Sequence, residues 1–77
     1  MSFSKKFIEN DWQNSNATGN VIIIPSDDHN IENPLVEVFQ LEDDGSYSPV
    51  TADISILRNN FICINSNIKF SGKYIVK

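Results

Sequence analysis

Apolar residues recur along the chain at intervals close to two, the period of a strand with one buried face, and not at the 3.6 of an amphipathic helix. Between Leu35 and Leu41, Leu35, Phe39 and Leu41 share one face with Glu37, while Val36 and Val38 share the other. Asp53–Leu57 alternates in the same way, which predicts Ile54 and Ile56 inward. Val21–Ile24 is a continuous apolar run stopped by Pro25. Its three consecutive isoleucines disfavour helix and predict a central strand buried on both sides. Phe61–Ile64 and Lys73–Val76 complete the set, with a weaker candidate at Lys6–Ile8. No window has a helical period; Phe3–Trp12 comes nearest.

The connectors carry turn chemistry. Asp43–Ser46 predicts a tight turn in which Gly45 supplies a positive φ. Arg58–Asn60 suits a short hairpin, because asparagine tolerates the left-handed region. Asn65–Asn67 and Ser71–Gly72 read as further breaks, and Gln13–Asn20 and Pro25–Pro34 as longer loops. About six or seven short strands with closely spaced turns predict a small antiparallel β-sandwich or barrel. The 77 residues form a single β domain, 1–77.

A chain this short has a small core, so a disulfide, a metal or a partner chain is a usual source of extra stability. Cys63 is the only cysteine, which excludes an internal disulfide. It sits in the apolar stretch Phe61–Ile64, without a cationic neighbour, and is expected to be a buried apolar residue. His29 is the only histidine and lies far from Cys63, so no metal is expected. That leaves self-association as a route to stability. No segment reaches the roughly 18 apolar residues of a membrane span. No apolar stretch follows Met1–Lys6, so no secretory signal is read there, and the expected location is the cytoplasm of a bacterial host or a virion.

Charge is sorted along the chain. All ten acids lie between Glu9 and Asp53, and no Lys or Arg occurs between Lys6 and Arg58. The last twenty residues hold Arg58, Lys69, Lys73 and Lys77 and no acid. Either the acidic middle pairs across strands with the C-terminal lysines, or Asp27, Asp28, Glu32, Glu37, Glu42, Asp43 and Asp44 converge into a face that attracts a basic partner. The chain lacks a basic stripe to neutralise phosphates, so direct nucleic-acid binding is not expected.

The chemistry-bearing residues are few. Asp27–His29 is a small polar cluster in a loop, where capping and turn roles are the ordinary ones; an enzyme would have to rest on Asp28 and His29. Glu42–Asp44 lacks the register of a calcium loop. There is no nucleophile elbow and no phosphate-binding glycine loop. The chain therefore reads as non-enzymatic and without a cofactor. Trp12, the sole tryptophan, is either a core anchor or an exposed platform, and Tyr47 and Tyr74 share the ambiguity. Asp11, Gln13 and Asn14 beside Trp12 are the amide and carboxylate groups a glycan contact would use.

The order of several short landmarks resembles small β domains of bacteriophage tail-fibre and baseplate proteins that attach to a host. The landmarks are Phe7 with Asp11 and Trp12, Ile22–Pro25 followed by His29, and Asn33–Phe39. Asp44 and Gly45 with Tyr47 and Val50 follow, and Phe70–Lys73 closes the series. A glycine expected just after the loop histidine is Asn30 here. The resemblance implies a virion structural or attachment role, often as a homo-oligomer. The expected function is thus a phage- or prophage-type module that assembles with itself or docks on a tail or host protein, with a glycan as a further partner class. The alternative is a small acidic phage-encoded inhibitor of a host defence protein, mimicking nucleic-acid charge. The candidate partner-binding residues are Trp12, Asp27, Asp28, His29, Glu42, Asp43, Asp44 and Tyr47.

Overall fold

The computed structural model describes residues 2–15 and 19–77. Among these, eight strands form two antiparallel four-stranded sheets, one more strand than the upper expectation. The strands are β1 (Phe3–Phe7), β2 (Gln13–Ser15), β3 (Gly19–Ile24), β4 (Val36–Leu41), β5 (Tyr47–Val50), β6 (Asp53–Ile56), β7 (Ile62–Ser66) and β8 (Gly72–Val76). One sheet has the order β1-β8-β4-β5 and the other β2-β3-β7-β6. The hairpins β2–β3, β4–β5 and β6–β7 alternate between the sheets, and β1 and β8 pair with each other. A 3₁₀ turn (Glu9–Asp11) and the one-turn helix α1 (Ser26–His29) are the only helical pieces among the described residues.

The inner faces of both sheets supply one core. Phe7, Val38, Tyr74 and Val76 come from the first sheet and Ile22, Ile24, Ile62 and Ile64 from the second, with Trp12 and Phe70 closing one side. This is a sandwich-like arrangement, and it decides which half of each alternation is inward. In β4 the Val36 and Val38 face turns in, and Leu35 is left 70% exposed. In β3 only Asn20, Ile22 and Ile24 are buried. Ile23 is 47% exposed, so this strand is central in its sheet but covered on one face only.

Several sequence expectations are corrected by position within a sheet. Ile56, expected inward, is 47% exposed because β6 is an edge strand. Cys63 lies on the outer face of the second sheet beside Ile23 and Ser55 and is half-buried, not buried. Gln13–Asn20, expected as a loop, contains β2 and the start of β3; Asn16–Thr18 lie outside the described residues. Asn65 and Ser66 belong to β7 and Gly72 to β8, so these breaks are displaced.

The two predicted turns form as expected, with Gly45 at φ +88° and Asn60 at φ +66°. Asn30 adopts the left-handed conformation (φ 53°) as the C-cap of α1, the role a glycine would have filled.

Candidate interaction surface

The eight candidate residues do not come together. Trp12 is buried at 3% exposure, and its indole Nε1–H donates to the Phe70 carbonyl at 2.8 Å. Its ring is packed in the core and offers no platform to a sugar. His29 is equally buried. Its Nδ1 accepts the Ile31 N–H at 3.0 Å, which places the ring proton on Nε2, 2.9 Å from the Asn60 carbonyl oxygen. Nε2 ties α1 to the β6–β7 turn, and Nδ1 holds the backbone just after the helix. Neither a metal nor a proton-transfer partner has a free nitrogen to use.

Asp27 and Asp28 are exposed on α1, and Glu42, Asp43 and Asp44 form the exposed β4–β5 turn. The first group precedes β4 and the second follows it, so six residues of extended strand separate them. Asp44 acts locally. Its Oδ1 accepts from the Ser46 hydroxyl (2.6 Å) and the Ser46 N–H (2.9 Å), which together hold its pKa below the ordinary aspartate value. Tyr47, half-buried on the outer face of the first sheet, carries the Lys73 ammonium 4.5 Å above its ring. Glu37–Lys77 at 2.5 Å joins the acidic middle to the basic end. Among the described residues no group of three or more His, Cys, Asp and Glu side chains is placed to hold a metal ion.

Two clefts flank the crossover between β5 and β6. One, of about 560 Å³, is lined by Gln40, Asp53, Asn65, Asn67, Ile68 and Phe70 among others. Its amides are partly committed, because Asn65 Nδ2 donates to the Asp53 carbonyl. The other, of about 310 Å³, has Val36, Val38, Val50, Ala52 and Ile54 in its lining together with Glu37 and Thr51. It lies between β4 and the β5–β6 crossover, with Ile54 as the residue contributed by β6.

A sheet edge presents unpaired backbone groups, and natural proteins blunt such edges with lysine, proline or shortness. Three of the four edges here are blunted. β1 carries Lys5 and Lys6, and β2 is only three residues long. β5 carries Pro49. The Leu41 N–H turns toward β8, where it donates to Ser71. By alternation the Gln40–Ser48 pair is the hydrogen-bonded one with β5, so the nitrogen of Pro49 faces the free edge and removes a donor there.

The fourth edge, β6, carries no lysine or proline along its four residues, and its one charge is Asp53 at the first position. Leu57 N–H donates to the Phe61 carbonyl (2.8 Å), so Leu57, Ser55 and Asp53 direct their peptide groups toward β7. The N–H and C=O groups of Ile54 and Ile56 therefore point outward. Ile56, on the inner face, is 47% exposed, and on the outer face Leu57 and Ile23 are 46% and 47% exposed. The edge status of β6 is not written in its residues, which is why the sequence reading missed it. Comparison with protein-family models, curated proteins and solved structures finds no match.

Proposed function

We propose that the chain is a non-enzymatic binding module whose binding surface is the free edge of β6. In this reading it assembles with itself or docks on another protein by adding a strand to the second sheet. The observation that carries it is the contrast among edges: β1, β2 and β5 are defended, while β6 exposes the backbone groups of Ile54 and Ile56 beside apolar side chains. Strand addition takes affinity from main-chain hydrogen bonds and specificity from pockets for alternate side chains, a role the cleft beside Ile54 would fill in this reading. The resemblance to phage tail-fibre and baseplate domains supports an assembly role of this kind. We prefer it to nucleic-acid mimicry by an acidic face, because Glu32 and Glu42 stand at opposite ends of β4.

The test is Ile56→Lys, which gives the edge the charge that β1 already has. Static light scattering over a concentration series should show association weakened at least about tenfold, the factor that ~1.4 kcal/mol represents. The melting temperature should change little, because the replaced side chain is half exposed. Association that survives the substitution would overturn this reading.

A further inference from the structure

We infer that the occupant of the β6 edge is β6 of a second copy, paired antiparallel across a two-fold axis at Ser55. The inference rests on the edge-binding reading above and names its partner. In a continuous sheet a two-fold perpendicular to the sheet pairs residues of the same face, so odd-numbered positions meet odd and even meet even. Centring the axis on Ser55 sets Ile54 opposite Ile56 of the second copy, and Ile56 opposite its Ile54. These are the residues whose N–H and C=O groups point outward. Each pair therefore exchanges hydrogen bonds in both directions, and none of these outward peptide groups is left over.

The side chains fit the same register. Ile56 of the second copy lands on the inner face opposite Ile54, at the cleft whose apolar members are Val36, Val38, Val50, Ala52 and Ile54. By symmetry Ile56 of the first copy enters the cleft of the second. The residue that the isolated chain leaves 47% exposed is thus the one its own cleft receives. Asp53 faces Leu57, so no like charges are opposed. The cleft and the side chain that enters it belong to one sequence, which is the condition an isologous contact must meet. A tail or host protein would have to bring its own matching isoleucine.

Ser55 meets its symmetry mate in a non-hydrogen-bonded pair, the closely spaced kind, where a disulfide is sterically allowed. The experiment is Ser55→Cys in a Cys63→Ser background, since Cys63 lies directly across from Ser55 in the same chain. Under mild oxidation the full chain should convert to a covalent dimer as the main species. Ser4→Cys in the same background, on the lysine-bearing β1 edge, should remain monomeric. Hydrogen exchange at Ile54 and Ile56 separates this inference from the reading beneath it. If the Ser55→Cys chain cross-links no better than Ser4→Cys while association still slows those two amides, the two-fold register is overturned and the edge reading stands. If the two amides are already slow in dilute monomer, the edge is not free and both are overturned.

Discussion

Trp12 and Phe70, 58 positions apart, are joined by an indole N–H donating to a main-chain carbonyl at 2.8 Å, with their ring centroids 5.2 Å apart. The contact ties the chain after the 3₁₀ turn to the segment entering β8. Phe7 completes an aromatic cluster around it, with centroids 5.6 Å from Trp12 and 5.5 Å from Phe70. Trp12→Phe keeps most of the ring and removes the donor, leaving a buried carbonyl unpaired. A loss of about 1–3 kcal/mol is expected, read from the urea midpoint at unchanged m-value. Tryptophan emission of the native chain should be blue-shifted and shielded from iodide.

Gly72 and Phe39 are in closer contact than any side chain allows. A Cβ on Gly72 would lie 1.9 Å from the Phe39 carbonyl oxygen, and both atoms belong to central, paired strands. Gly72→Ala should therefore prevent folding or lower stability by more than ~3 kcal/mol. Gly45→Ala meets nothing within 4 Å and is strained only by φ +88°, so about 1–2 kcal/mol is expected. Parallel chemical denaturation of the two variants checks the ordering.

His29 is predicted to be a cross-link and not a reactive group. His29→Leu leaves the Ile31 N–H and the Asn60 carbonyl without their partner, a loss of about 2–4 kcal/mol by the usual cost of unsatisfied groups. Nitrogen chemical shifts of the native ring should show a bare Nδ1 and a protonated Nε2. The opposite tautomer would contradict the assignment.

Tyr74 provides a pH signature. Burial, followed by the Asp28 and Asp11 carboxylates, raises its pKa from 10.0 to about 12. The folded state holds the phenolic proton more tightly than the unfolded state does. This group leaves stability unchanged below pH 10, and stability then falls with rising pH between about 10 and 12. Tyr74→Phe should flatten that part of the curve, measured by urea unfolding at a series of alkaline pH values.

Strands with clear alternation or an unbroken apolar run were legible in the residues, as Val36–Val38 and Ile62–Ile64 illustrate. β2 was not, because Gln13, Asn14 and Ser15 have no apolar member, and the strand exists by pairing with β3. Alternation also cannot tell an edge strand from a central one. Ile54 and Ile56 look equivalent in sequence, yet Ile56 is 47% exposed while Ile54 packs against the core. The same limit hid the open edge of β6. Charge order suggested a face at Asp27–Asp44, but β4 runs between the two halves of that stretch and carries them to opposite ends. Trp12 was ambiguous because nothing local to it reveals a hydrogen bond to Phe70.

The central claim is that β6 is an open edge on which association takes place, and amide hydrogen exchange measures this residue by residue. In dilute solution Ser55 should exchange slowly, since its N–H faces β7, while Ile54 and Ile56 exchange fast. Raising the concentration should slow Ile54 and Ile56 together and leave the β1 edge amides unchanged. Association that protects the β1 edge or the outer face of the first sheet, with Ile54 and Ile56 still fast, would contradict the account.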